Sequence, residues 1–96
     1  MTSWPFDQRQ NAAAITTKHV LEGGAPILTV VHYSDDYSWA FLCGTTDEEK
    51  DGRVIAMSEA LEMDPTLGDI ADLKPGWIAW RQAVSSPWQR KENDHE

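Results

Sequence analysis

Apolar and polar positions alternate most clearly in "PILTVVHYS" (26–34) and "SWAFLCG" (38–44). Both runs are rich in β-branched and aromatic residues. The "DDY" between them is turn chemistry, because Asp tolerates left-handed backbone and hydrogen-bonds its own chain, so an antiparallel hairpin is predicted. Leu28, Val30 and His32 fall on one face of the first strand, and Trp39, Phe41 and Cys43 form one alternating set on the second. The opposite positions, Val31, Tyr33, Ala40 and Leu42, are also largely apolar. A hairpin of this kind is expected to be covered, at least in part, on both sides.

Shorter signals flank it. "ITT" at 15–17 reads as a strand or the entry to a helical turn, with Thr17 capping "KHVLE" and Gly23-Gly24 stopping it. "RVIAM" (53–57) predicts another strand, and Ser58 a cap for a short helix that turns Ala60, Leu61 and Met63 to one side. Asp64-Pro65 is a stronger start signal, predicting a helix to about Leu73 that buries Leu67, Ile70, Ala71 and Leu73. Pro75-Gly76 ends it and "GWIAWRQA" forms the last strand. There Trp77, Ala79 and Arg81 point one way, and Ile78 and Trp80 the other. Trp80 and Ile78 are expected in the core, with Trp77 nearer the surface beside Arg81. The competing arrangement has Trp88 folded back over the strand and Arg81 stacked on a ring.

Residues 1–14 carry no clear period and are expected to be a loosely ordered lead-in, pinned to the body by Trp4-Pro5-Phe6. Residues 91–96 read as a disordered tail. What remains, 15–90, predicts a single small α+β domain. Its sheet is mainly antiparallel, with four to five strands and two or three short helices.

Composition narrows the function classes. A 96-residue chain with 41% apolar and 25% charged residues builds one modest core. "MTSWPFDQRQ" lacks the apolar stretch of a secretory signal, and "ILTVV" is far too short to span a bilayer. The lone Cys43 excludes an internal disulfide and fits a reducing compartment, so a cytoplasmic location is expected. The net charge is −8, and the segment 35–72 alone holds eleven acids against Lys50 and Arg53. Such a field repels nucleic-acid phosphates and anionic lipid, and steers a basic protein.

Catalytic patterns are sparse. The six glycines form no phosphate-binding loop, and no G-x-S-x-G elbow occurs. His19, His32, Cys43 and His95 lack the paired spacing of a zinc site, and "DEEKDG" (47–52) has calcium-loop composition without calcium-loop spacing. Neither a metal nor a cofactor is expected. His32 and Cys43 fall on one face and would be diagonal neighbours at roughly 7–8 Å if the turn spans 35–38. A Cys-His couple can begin nucleophilic catalysis, which gives the alternative of a small-ligand or enzymatic site on that face. The apolar neighbours of Cys43 favour a structural thiol and a chain that is not an enzyme. The preferred reading is a non-catalytic protein-binding domain, anchored by Trp39, Trp77 and Arg81 with Asp35 and Asp36 at the rim.

The order of motifs from about Ile15 to Arg90 resembles a family of small bacterial proteins grouped with the immunity proteins of polymorphic toxin systems, the immunity protein 33 type. The resemblance rests on "ITTKHVLEGGAPI", on "DDYSWAFLCG", on "DPTLGDIADLKPGWIAWR" and on the later "PW" followed by a basic residue. Its most specific parts are the Ser38-Trp39…Gly44 hairpin, Asp64-Pro65 and Gly76-Trp77-x-Ala79-x-Arg81. It implies an α+β domain and, for some relatives, protection by binding a toxin. No active site comes with it.

Overall fold

Thr17 is where strand gives way to helix. In the computed structural model, which describes residues 4–43 and 52–93, strand β1 (Ala13–Thr17) runs directly into helix α1 (Lys18–Leu21). The Thr17 hydroxyl accepts the Val20 amide, as its capping role predicts, and Gly24 takes the left-handed turn beyond the helix at φ 71°. Strands β2 (Thr29–His32) and β3 (Trp39–Leu42) form the predicted antiparallel hairpin. Beyond the charged segment 44–51, which lies outside the described residues together with the "DEEKDG" reading, come β4 (Gly52–Ala56) and α2 (Met57–Met63). A 3-10 helix (Pro65–Ile70), β5 (Trp77–Trp80) and β6 (Gln89–Glu92) complete the chain.

The strands build one six-stranded sheet in the order β4-β1-β3-β2-β5-β6. Only β1 and β3 run parallel; every other neighbouring pair is antiparallel. The fold is α+β, with one strand more than the pattern predicts. The extra strand is β6, "QRKE", whose four residues are all exposed. An edge strand of charged residues carries no apolar alternation, so nothing in the pattern marks it. It runs to Glu92, into the stretch read as a tail, and His95 lies outside the described residues.

The N-terminal stretch also differs from a loose lead-in. β1 begins at Ala13, and Phe6 is 6% exposed, with its ring edge-on to Trp39 at 5.0 Å and to Phe41 at 6.1 Å. Backbone bonds from Met57 to Ala12 and from Ser58 to Gln10 fasten this segment to the start of α2. Periodicity could not reveal it because one aromatic ring, not a repeating face, does the burying.

All three helices bury their apolar side chains on one face of the sheet. Val20, Met57, Ala60, Leu67 and Ile70 join Val30, Phe41, Ile55 and Ala79 in a single cluster. On the other face Val31 and Ala40 are buried as well, outside that cluster, in keeping with the partial cover expected on both sides of the hairpin.

Two local readings need correction. α2 starts two residues earlier than predicted: Ala56 is its cap and the Glu59 carboxylate reaches back to the Ala56 amide at 3.1 Å, so Ser58 lies inside the first turn. Strand β5 is turned over relative to expectation. Ala79 is fully buried, Trp77 packs against the core, and Trp80 lies on the helix-free face with the Lys91 ammonium 5.7 Å from its ring centre. The cause is Arg81, read as a surface residue but 4% exposed. Because the pleat alternates, burying Arg81 carries Ala79 and Trp77 inward with it.

Candidate partner-binding site

Arg81 sits at the far end of β5 under the 3-10 helix, and its guanidinium is fully engaged. Nε and Nη2 donate to the Ile27 carbonyl, Nη1 to the Thr66 hydroxyl and the Val84 carbonyl, and Nη2 also to the Asp64 carboxylate. Those five bonds use all five donors an arginine has. The Asp64 carboxylate accepts the Thr66 amide as well, capping the helix that Pro65 begins. The Trp88 ring covers the guanidinium at 4.2 Å, so the competing arrangement of the sequence reading is the one adopted.

Trp39 is fully buried, its ring stacked on His32 at 4.0 Å, with its indole N–H donating to Asp7 at 3.1 Å. His32 is 1% exposed. Its Nδ1 donates to the Leu73 carbonyl at 2.8 Å, since a carbonyl only accepts, and its Nε2 lies 3.5 Å from Asp7 without a hydrogen bond. Trp77 is half-buried and pairs in register with His32. Asp35 and Asp36 are exposed on the β2–β3 turn, where Asp35 accepts the Asp36 amide and Asp36 accepts the Ser38 amide. The Ser38 hydroxyl and then its amide hold the Asp36 carboxyl below the ordinary value of 3.8.

The five predicted residues therefore do not make one patch. The hairpin gathers Trp39, Trp77, Asp35 and Asp36 at one end of the sheet, and Arg81 lies at the other, near Leu28. Trp39 and Arg81 have no surface to offer, because each is consumed by core packing or by an internal ion pair. The predicted His32–Cys43 neighbourhood also dissolves. The register pairs His32 with Trp39 and Leu42 with Thr29, two residues away from the pairing that a 35–38 turn gives. Parity survives, so both residues keep the same face. They stand about four strand positions apart, roughly 13 Å. The loop is Ser34–Tyr37, closed by Tyr33 donating to the Ser38 carbonyl, and Tyr37 takes the left-handed position at φ 60°.

A different surface is open. The N-terminal segment lies beside α2 and the 3-10 helix, leaving a groove of about 450 Å³ between Trp4, Pro5, Ser58, Leu61, Glu62 and Pro65. Trp4 is half-buried, its indole N–H tied to the Gln8 carbonyl, so the ring is held in place along the groove. Pro65 also borders a second groove of about 680 Å³, over Ile27 and Asp64, whose walls include Leu21, Met63 and Val84. These three are among the few large apolar side chains that stand exposed, at 40%, 40% and 46%. The exposed carboxylates Glu22, Glu59, Glu62 and Asp69 stand on or beside the same helices.

Neither groove was legible in the pattern. Trp4-Pro5-Phe6 reads as a pin for an unpatterned stretch, and Ala60, Leu61 and Met63 as apolar positions gathered on one side of a short helix. The spacing of Leu61 and Glu62 on α2 places an apolar and an acidic side chain side by side. What the sequence lacks is the information that the N-terminal segment lies next to them. The chain matches no family model, no curated protein and no solved structure.

Proposed function

We propose that this chain is a non-catalytic protein-binding domain for a basic partner, acting in the manner the immunity-protein resemblance implies, by occupying a cognate toxin. The observation that carries the reading is the pair of grooves meeting at Pro65. They combine a fixed indole, exposed aliphatic walls and flanking carboxylates on the helical layer. Rigid aromatic anchors in a concave apolar site supply contact area, and carboxylates at the margin steer a cationic surface onto it. The reading is also supported by where the reactive groups go. Arg81 is spent on Asp64, the His32 ring is buried against Trp39 with Nδ1 on the Leu73 carbonyl, and Cys43 is buried near the Thr17 hydroxyl at 3.7 Å.

The test is co-expression with each growth-inhibiting product of the neighbouring genes. The wild-type chain should restore growth and co-purify with one of them, whereas the Trp4→Ala, Glu62→Lys double variant should do neither while retaining its fold. Equal protection by wild type and double variant, or none by the wild type with any neighbouring product, removes the proposal.

A further inference from the structure

The buried His32 ring meets different neighbours at its two nitrogens. Nδ1 carries a proton, because it donates to the Leu73 carbonyl. A neutral imidazole then presents a bare lone pair at Nε2. That lone pair faces the Asp7 carboxylate at 3.5 Å, and no donor among the described residues reaches it. The other Asp7 oxygen accepts the Trp39 indole N–H, and the Trp39 ring lies nearly parallel to the imidazole at 4.0 Å. With the ring neutral, two acceptors confront each other at a buried nitrogen, which costs free energy. A second ring proton turns the same contact into a charge-assisted hydrogen bond.

We infer that His32 and Asp7 form a proton-operated clasp that fastens the N-terminal segment to the sheet. In acid, His32 takes a proton from solvent, Nε2–H donates to Asp7 and the segment is held. As pH rises the ring gives up that proton, acceptor again faces acceptor, and the segment loosens. The fastened form binds one proton more than the loosened form, so alkali favours loosening. Burial works against a charged ring. Three contacts work for it: the Leu73 carbonyl, the Asp7 carboxylate and the face of the Trp39 indole, whose quadrupole attracts a cation. Asp7 is 51% exposed, so it keeps much of its own hydration while it serves the pair.

Asp7 is the charged group that faces the ring. The cross-strand neighbours of His32 are Trp39 from β3 and Trp77 from β5, neither of which titrates. Of the charged residues flanking Leu73 and Asp7 along the chain, Asp72 is paired with Arg90, and Lys74 and Arg9 are exposed. Asp35 and Asp36 stand exposed on the β2–β3 turn. The segment held by Asp7 also carries Phe6 into the core and sets Trp4 along the groove. A groove wall that responds to pH is a consequence for the partner-binding reading, but the clasp itself does not rest on that reading.

NMR of the full 96-residue chain from about pH 5 to about pH 8, the range in which an imidazole changes charge, tests the clasp without any partner. His32 Nε2 should carry a proton at the acid end and lose it toward the alkaline end, with Nδ1 protonated throughout. The Trp39 indole N–H and the Ser58 amide, which donate to Asp7 and to the Gln10 carbonyl, report whether the segment is held. Their exchange protection, corrected for intrinsic rates, should fall by at least about tenfold over that range, the size of one hydrogen bond to a charged group. Asp7→Asn separates the clasp from an ordinary ion pair. Its side-chain amide can accept the Trp39 N–H and donate to the neutral Nε2, so protection should become independent of pH and exceed the wild type's at the alkaline end. Should Asp7→Asn fail to fold, the wild-type titration decides alone. A ring that keeps one protonation state across the range overturns the inference. So does a ring that titrates while Trp39 and Ser58 protection stays level, or an Asp7→Asn chain less protected than the wild type at the alkaline end.

Discussion

Arg81 and Asp64 form an ion pair inside the protein, with side chains 1% and 12% exposed, and the pair joins the end of β5 to the start of the 3-10 helix. The Ile27 and Val84 carbonyls complete the arginine's shell, so one guanidinium ties four chain segments together. A buried charge that loses its partner is costly even where the pair itself adds little net stability. Arg81→Ala should therefore destabilise the fold by about 3–5 kcal/mol in urea denaturation. The double variant Arg81→Met, Asp64→Leu should lose less than the two single losses combined, because neither charge is then left alone. Additive losses would mean that the pair is not coupled.

Phe6 ties the N-terminal segment to the core through its edge contacts with Trp39 and Phe41. Phe6→Ala should cost about 3–5 kcal/mol, the range for a buried aromatic truncated to a methyl. A loss under about 0.5 kcal/mol, the range of ordinary surface changes, would return residues 1–14 to the status of a loose lead-in.

At Asp36 the folded-state pKa is lowered, so its contribution to stability is present above the ordinary 3.8 and disappears as pH falls through the lower folded value. The Ser38 hydroxyl is the first cause of the lowering. Ser38→Ala should therefore move the Asp36 titration midpoint up toward 3.8, followed by carboxyl-carbon NMR. An unmoved midpoint would assign the effect to the amide bond alone.

Cys43 is 2% exposed and distant from His32 in the register. Its thiol should react with an aromatic disulfide reagent no faster than the protein unfolds. Rapid labelling of the native chain near neutral pH would reinstate thiol chemistry as a candidate function.

The hairpin, the Thr17 cap, the Asp64-Pro65 start and the α+β class were legible because each is written in local alternation or in cap chemistry. The strand face of Trp77 and Trp80 was not. Hydropathy puts the larger apolar residue inside, and only the unseen partner of Arg81 reverses that choice. β6 was missed for the opposite reason, an exposed charged edge that carries no apolar repeat, whereas the buried Phe6 holds the N-terminal segment as the expected Trp4-Pro5-Phe6 pin. At the site, the sequence offered Trp39 and Trp77 as indole anchors on an acidic protein, and burial removes Trp39 from that role. Trp39 fills the core, whereas Trp4 borders a groove that exists only once the N-terminal segment packs beside α2.

That Trp4 and Glu62 receive a cationic protein, as proposed, is tested most directly by stopped-flow association of this chain with a basic protein recovered from among the products of its neighbouring genes, at low and high ionic strength. The association rate should fall steeply as salt rises, Glu62→Lys should lower it at low salt, and Trp4→Ala should chiefly speed dissociation. An association rate indifferent to salt, with dissociation untouched by Trp4→Ala, would contradict the claim.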